Sequence, residues 1–558
     1  MIIRLKKINL IILILFFFLG SLEANQIFDI KKSFKDNDFG NFISEFGDPE
    51  KDSKFSLIFF EKSFEDIQSF VKALPNRSPN PVIQQIIYDL LTAKKKLNRN
   101  FISKDQDEKI FELLVNQLFE TGRISEIELY YSQSTNLNNN EYILKKMIEG
   151  NLLRNRHNEA CKILDTTANQ SPEVFGKIII ICDILNNRYE EAKLGLLLLK
   201  EQNNPGDTFF IDLAYSLMSE DDLNDSENLK KNLEQIKSLN PIIMSSLQYA
   251  DISPNYEQVE NLDTSGLLFI LSNPAVEIDI KIFCAELLVK QGRIGYDFLS
   301  EAYLLPRFGS EDLENSLKLY KTLSPAKARP LLYQSIIAEK NDEIRLQKII
   351  ALLKTSIIDD LFSPISNLIA NLIKLDEGLA TTENLLLISK VFQSQKDFFN
   401  ANSVLDRIKD QSYENLIFRK ISVELAKYLN NKLVNDPSLE ENISKLTKLE
   451  KISSEKHKKI IMNLILNYNL NQNMMNQLKK IAFQNSEKLS DHSVQKLFLA
   501  QNFSEKNDLF NSLSIFFDIV GNRNIKNLDL LQTYQILIIL KNLGFDDEFK
   551  ELSKSIIE

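Results

Sequence analysis

Three short segments of this chain share one pattern of residues: GRISEI at 122–127, NRHNEA at 155–160 and NRYEEA at 187–192. Each segment begins with Gly or Asn followed by Arg, and each then continues into an apolar pattern with helical spacing. Their last residues, Ile127, Ala160 and Ala192, are 33 and 32 residues apart. A constant period of about 20 to 50 residues is typical of stacked repeats. The pattern therefore predicts an array of units in which each unit is a pair of helices.

The second and third segments resemble the tetratricopeptide repeat family, whose period is about 34 residues. In that family the turn between the two helices is followed by an aromatic residue, two polar residues and an alanine that lets the helices approach. Tyr189 and Ala192 match these places in one unit, and His157 and Ala160 match them in the preceding unit. The family's first-helix tryptophan has no counterpart, since the chain contains no Trp. The residues expected to pack within these repeats are Ile127, His157, Ala160, Leu164, Tyr189, Ala192 and Leu196.

The rest of the chain has the same helical character. From Val82 onward, apolar residues recur at helical spacing in segments that short Asn, Asp, Ser, Gly or Pro interruptions separate. A first helix is predicted over Phe55–Leu74. The β-branched cluster Ile178–Ile181 is interpreted as a buried helix, because its neighbours on both sides have helical period. The predicted fold class is all-α, an α-solenoid of stacked antiparallel helical hairpins.

Composition shifts divide the chain into four parts. Polar segments or segments containing Pro and Gly lie at 219–226, 251–266 and 306–312, and they indicate a boundary between two helical arrays near residue 265. The predicted parts are a signal peptide at 1–24, a flexible lead-in at 25–54, an N-terminal tetratricopeptide-like array at 55–265 and a C-terminal helical-repeat array at 266–558.

The first residues have the order of a secretory signal peptide. Arg4, Lys6 and Lys7 precede an apolar run over 8–19, and small residues lead to Ala24. The run is shorter than the roughly 20 residues that a helix needs to span a bilayer, so cleavage after Ala24 is favoured. We therefore expect an exported, periplasmic protein of a bacterium, with no integral membrane span after cleavage. The alternative is an inner-membrane anchor formed by the uncleaved segment.

Three cysteines, Cys161, Cys182 and Cys284, would meet an oxidising compartment after export. If the turn of their hairpin lies near Ser171 and Pro172, then Cys161 and Cys182 face each other from opposite helices. This placement is compatible with a disulfide that staples the hairpin and with two buried free thiols, since cysteine is also a common core residue. One cysteine is left over in either case.

No motif in the sequence indicates catalysis, a cofactor or a metal. The three histidines, His157, His457 and His492, are not spaced as metal ligands. Neither a glycine-rich phosphate loop nor a G-x-S-x-G nucleophile motif is present. His157 lies close to Cys161 and would suit a metal or thiol-base pair, but the repeat pattern explains it more simply as a packing residue. We therefore expect a protein that is not an enzyme and needs no cofactor.

The net charge of −10 and the lack of a basic tract argue against a nucleic-acid partner. By architectural analogy, the leading hypothesis is a periplasmic scaffold or adaptor that binds another protein through a concave superhelical face. One alternative is a cell-wall or glycan-acting enzyme that uses the solenoid for substrate placement, because its two carboxylates need not be close in sequence. The other is a purely structural envelope protein. The identity of the partner, the binding face and the oligomeric state stay open.

Overall fold

A computed structural model describes residues 47–48, 53–98, 100–133, 140–166, 171–218, 223–374, 381–431, 437–449, 452, 454–483 and 491–558. All of these residues belong to one compact unit, which spans residues 42–558. The described residues are all-α, as the sequence predicts, and they contain no β-strand. Asp48 and Ala93 form an isolated β-bridge.

We number the α-helices of the described residues in chain order. The helices of the first half are α1 Phe64–Lys72, α2 Pro81–Thr92, α3 Lys104–Glu120, α4 Ile124–Gln133, α5 Glu141–Leu153, α6 His157–Thr166, α7 Pro172–Leu185, α8 Tyr189–Glu201, α9 Thr208–Ser216, α10 Leu223–Glu234, α11 Pro241–Tyr249, α12 Tyr256–Glu260, α13 Thr264–Ser272, α14 Ile278–Lys290 and α15 Tyr296–Leu304. Those of the second half are α16 Ser310–Glu314, α17 Ser316–Leu319, α18 Pro325–Ala338, α19 Asp342–Ile358, α20 Phe362–Ile369, α21 Thr382–Ser394, α22 Phe398–Asp406, α23 Glu414–Asn431, α24 Pro437–Leu446, α25 Glu455–Asn467, α26 Gln472–Phe483, α27 Asp491–Glu505, α28 Leu509–Val520, α29 Leu530–Asn542 and α30 Asp546–Ile557. Short 3₁₀ helices occur at Ser53–Phe55, Pro205–Asp207, Ala370–Leu372 and Ile525–Asn527.

One type of turn recurs along the chain and explains the sequence pattern. Asn155 and Asn187 both have φ of 57°, and Gly122, Gly292 and Gly544 have φ of 74°, 67° and 72°. Glycine and, less readily, asparagine adopt this left-handed conformation. In each case the next residue donates its N–H to the carbonyl five residues earlier, with N–O distances of 2.8 to 2.9 Å. This is the Schellman ending of a helix, and it allows the next helix to begin at once.

The helices that flank these turns pack against each other as hairpins. Helix α5 packs on α6, α7 packs on α8 and α29 packs on α30. The cluster Ile178–Ile181 lies within α7, so its interpretation as a helix is confirmed. This arrangement is compatible with a helical-repeat fold, and the stacking of the hairpins into a superhelix stays a prediction.

The first described residues contact the last ones. The rings of Phe55 and Phe545 lie 5.7 Å apart between centroids, and those of Phe70 and Phe510 stack at 4.8 Å. All four side chains belong to one hydrophobic cluster. The start of the described chain is therefore held by helices α28 to α30.

The region of helices α2 to α4 contacts the middle of the chain. The Arg293 guanidinium Nη2 donates to the carbonyl of Gly122, at 3.1 Å. Pro81, the first residue of α2, lies so close to Gly292 that a Cβ on that glycine would be 2.9 Å from the proline Cβ. Helix α2 thus lies beside the end of α14 and near α30, and these elements surround a common cavity.

One predicted helix start differs from the structure, and the predicted division of the chain stays a prediction. Helix α1 begins at Phe64 and not at Phe55, because the Ser63 hydroxyl accepts the N–H of Asp66 and caps the helix there. The predicted boundary near residue 265 falls inside α13. The predicted signal peptide at 1–24 and most of the lead-in at 25–54 lie outside the described residues.

Candidate functional site

The repeat-like residues that the sequence singled out lie mostly in the core. Ala160 and Ala192 have no exposed surface, and these small side chains lie where α6 and α8 meet their neighbouring helices. The buried members of the set are Ile127, Ala160, Leu164, Ala192 and Leu196. His157 is half-buried, and Tyr189 is exposed, with its hydroxyl donating to the Asn187 side chain at 3.0 Å. Tyr189 therefore caps the turn and does not fill the interior.

His157 contacts α11, which is distant in sequence. Its Nε2 is 3.2 Å from the Ser245 hydroxyl, and its ring lies edge-on to Tyr249 with 4.8 Å between centroids. Burial lowers the pKa of His157, and the charge of Glu159 opposes this shift only in part. The neutral ring therefore acts as a packing and hydrogen-bonding group between α6 and α11.

Cys161 and Cys182 join α6 to α7. Their sulfur atoms are 2.02 Å apart and their Cα atoms are 5.6 Å apart, and both residues are buried. Cys284 is a free cysteine in the core of α14, and burial raises the pKa of its thiol. Since a raised pKa disfavours the reactive thiolate, the Cys284 thiol suits packing better than chemistry.

Helix α8 is apolar on both of its faces. The inner face carries Ala192 and Leu196, which are fully buried. The outer face carries a row of Leu194, Leu197 and Leu198, which are 60%, 53% and 55% exposed. We call these three residues the leucine row. The run of four leucines at 196–199 is the sequence signal for it, because a helix distributes consecutive residues over all its faces.

A cavity of about 470 Å³ lies where α2, α14, α20, α21, α23 and α30 meet. Its charged lining residues are Lys290, Asp360, Lys396, Lys526, Glu551, Lys554 and Glu558. Lys554 is neutralised locally, since its Nζ contacts Glu551 at 2.6 Å and the Asn430 side chain at 3.0 Å. The cavity depends on helices from distant parts of the chain, so no local sequence pattern indicates it.

A buried charge network fixes the helices beside this cavity. The Arg329 guanidinium on α18 donates its Nε–H to Glu286 on α14 at 2.6 Å, and Nη1 contacts Asp359 at 2.5 Å. The Tyr303 hydroxyl on α15 donates to the same Glu286 carboxylate at 2.8 Å. Burial by itself would lower the pKa of Arg329. The hydrogen bonds and the negative charge of Glu286 have the larger combined effect, so the pKa of Arg329 lies above its ordinary value. We call Glu286, Tyr303 and Arg329 the buried charge network.

The part of the chain that the structure describes holds no group of three or more His, Cys, Asp or Glu residues placed to bind a metal ion. Within the same residues, no helix combines the length and apolar character needed to cross a bilayer.

Comparison with known proteins gives no relative for this chain: no protein family, no curated protein and no solved structure matches it. The resemblance to tetratricopeptide repeats therefore depends on the residues of the two repeat-like segments alone.

Proposed function

We propose that this chain is an exported helical-repeat scaffold or adaptor that binds another protein. The observation that carries the proposal is the leucine row on α8. A helix on the surface of a protein normally has one apolar stripe toward the core and a polar outer face. Contiguous exposed apolar residues usually belong to an interaction surface. A second apolar stripe on α8 is therefore best explained by a partner that covers it.

The charged residues around the leucine row suit a protein partner better than a lipid surface. Glu190, Glu191 and Glu201 lie on the same helix as Lys193 and Lys200, so the helix has no basic excess that would attract anionic lipid. Lys193 is also paired with Glu190 at 2.8 Å. An apolar centre with a polar rim of both charges is the ordinary anatomy of a protein interface.

Export is proposed from the first residues of the sequence, with support from the cysteines. A disulfide such as the one between Cys161 and Cys182 persists in oxidising compartments and is rare in the cytosol. Fractionation of the native host and mass spectrometry of the mature N-terminus would test this proposal. A chain that begins after Ala24 in the periplasmic fraction is expected, and an intact chain in the cytosol would contradict export.

The binding proposal can be tested by changing Leu194, Leu197 and Leu198 together to Gln. The tagged protein is crosslinked in the envelope of its native host, and the proteins recovered with it are identified by mass spectrometry. We expect a stoichiometric partner with the unchanged chain and its loss with the triple variant. The matched control is Leu57→Gln with Leu304→Gln, since these leucines are 57% and 53% exposed on other elements.

Three results would overturn the proposal. Equal recovery of the partner with the triple variant would exclude the leucine row as the contact. A dimer in sedimentation that the triple variant converts to a monomer would favour a self-assembling structural protein. Hydrolysis of purified peptidoglycan, abolished by a single carboxylate substitution, would favour the enzyme hypothesis.

A further inference from the structure

Four basic side chains converge next to the 470 Å³ cavity, and none of them was indicated by the sequence pattern. They are Lys390 on α21, Arg419 on α23, Lys456 on α25 and Lys526 on the 3₁₀ helix Ile525–Asn527. Lys390 and Lys456 perturb each other's pKa, and the charges of Arg419 and Lys526 act on both. We call these four residues the basic cluster.

The basic cluster lacks local counter-charge. Among the described residues, none of the four forms an ion pair with a carboxylate within 4.0 Å. Glu558 is the carboxylate whose charge reaches Arg419 and Lys456. Lys390 instead lies over the ring of Phe362, at 4.8 Å from its centroid. Four basic side chains thus converge without an ion-pair partner among the described residues.

Polar groups at the base of the basic cluster are also left without partners. Arg419 is 7% exposed, and its Nη2 donates to the Gln393 side-chain oxygen. The Nε of Arg419 and the Nε2 of Gln393 have no hydrogen-bond acceptor among the described residues. Buried donors of this kind are rare in proteins unless a ligand, an ion or water satisfies them.

The electrostatics of the basic cluster favour the entry of an anion. Burial, followed by repulsion from Lys456, lowers the pKa of Lys390 well below its ordinary value. Burial also lowers the pKa of Lys456 to about 8 and that of Arg419 to about 9. Since burial disfavours their charged forms, and neighbouring positive charges add to this at the two lysines, a bound anion would stabilise the charged forms of Lys390, Lys456 and Arg419.

We propose that the basic cluster binds a phosphate group, with the adjoining cavity receiving the organic part of a phosphate ester. A doubly charged oxyanion matches the excess of cations better than a single carboxylate, and its oxygens can accept from several donors at once. Lys526 belongs to the basic cluster and lines the cavity, and Gln393, which also lines the cavity, accepts a hydrogen bond from Arg419, so the basic cluster adjoins the cavity. Lys526 is exposed and forms the entrance, whereas Arg419 is buried and forms the base.

The site is independent of the leucine row, so either proposal can fail alone. Isothermal titration calorimetry of the full chain tests it with inorganic phosphate and with glycerol 3-phosphate, at constant ionic strength. We expect saturable binding of both probes. Tighter binding of glycerol 3-phosphate would assign the ligand as an ester, and equal binding would assign free phosphate.

Lys390→Met and Lys496→Met form a matched pair of variants. Lys496 does not line the cavity and contacts Asp518 at 2.7 Å, so it belongs to neither part of the proposed site. Lys390→Met should weaken phosphate binding by at least about tenfold, whereas Lys496→Met should change it by less than about twofold. Without phosphate, Lys390→Met should melt at the same temperature as the unchanged chain or higher, since it removes a basic group whose charged form is disfavoured by burial and by its basic neighbours. This measurement separates a lost site from a misfolded protein.

Two outcomes would overturn the phosphate site. The first is the absence of saturable binding of either probe up to about 10 mM, which is weaker than any useful affinity for such a group. The second is an equal loss of affinity in Lys390→Met and Lys496→Met, because binding would then follow the general charge of the protein and not the basic cluster.

Discussion

The hairpin α6–α7 and the helices α14, α15 and α18 are cross-linked by opposite chemical means. In the first, a disulfide joins Cys161 and Cys182, which are 21 residues apart in sequence. In the second, the buried charge network joins Glu286 to Arg329, which are 43 residues apart. A disulfide stabilises a fold by restricting the conformations of the unfolded chain. A buried ion pair stabilises it only if the attraction exceeds the free energy lost when both charges leave water.

This difference determines how each region responds to the loss of one partner. Removing one cysteine leaves a small, nearly apolar thiol in the core, and the surrounding packing survives. Removing one charge of a buried pair leaves the other charge without compensation in a medium of low polarity. The ionic cross-link should therefore be the more sensitive of the two to a single substitution, although it is not covalent.

The largest effect is expected for Arg329→Met. It leaves the Glu286 carboxylate buried with only the Tyr303 hydroxyl as a partner, and the free energy of unfolding should fall by about 3 to 5 kcal/mol. Urea unfolding followed by circular dichroism measures the change. Replacing the whole network together, as Glu286→Leu, Tyr303→Phe and Arg329→Met, should cost less than the single substitution, because the buried carboxylate of Glu286 is removed and Asp359 is partly exposed to water.

A surface pair between the same two helices provides the control for Arg329→Met. Lys327 on α18 contacts Asp279 on α14 at 3.0 Å, and the Lys327 side chain is 52% exposed. Lys327→Met should reduce stability by less than about 1 kcal/mol, since water screens exposed ion pairs. Equal effects of Lys327→Met and Arg329→Met would mean that burial does not amplify the network, and the contrast between the two regions would fail.

The disulfide is expected to give the second largest effect. Cys161→Ala combined with Cys182→Ala releases a loop of 21 residues in the unfolded chain, which should reduce stability by about 3 kcal/mol. Reduction of the unchanged protein should have a similar effect. Thiol counting on the denatured, non-reduced chain should detect Cys284 alone. Three free thiols would contradict the bond and leave the hairpin without its covalent cross-link.

The third effect concerns a contact between distant regions. Gly292 and Gly544 adopt the same left-handed conformation, but of the two only Gly292 has another element in the space that an added Cβ would occupy. Gly544→Ala should cost about 1 kcal/mol of backbone strain. Gly292→Ala should cost about 2 kcal/mol or more, because its Cβ would meet the rigid ring of Pro81 and no flexible side chain can yield. Equal losses of thermal stability would indicate that α2 does not pack on the end of α14.

These examples show which parts of the molecule its sequence can predict. The turns at Asn155 and Asn187 are visible because a left-handed residue and the helices beside it are neighbours in sequence. The pairing of Glu286 with Arg329 is not visible in the sequence, since Glu and Arg are both ordinary residues on the solvated surface of a helix. The contact between Phe55 and Phe545, the cavity and the basic cluster are hidden because each brings together residues that are distant in sequence. Sequence periodicity identifies hairpins, whereas the functional surfaces depend on how distant hairpins meet.

The smallest effect tests whether His157 belongs to the local hairpin or to the long-range contacts. Burial lowers the pKa of His157 below its ordinary value of 6.5. As the pH falls through 6.5, the unfolded chain therefore takes up a proton before the folded chain does, and stability decreases with falling pH. His157→Gln keeps a polar group near Ser245 but cannot be protonated, so it should reduce this loss of stability between about pH 7 and 5.

His457→Gln is the comparison. Burial also lowers the pKa of His457, but Glu414 contacts its ring at 2.9 Å and favours the charged form. Urea unfolding at each pH should show a larger change for His157→Gln than for His457→Gln. The reverse order would indicate that His157 is open to water and that the contact between α6 and α11 is loose.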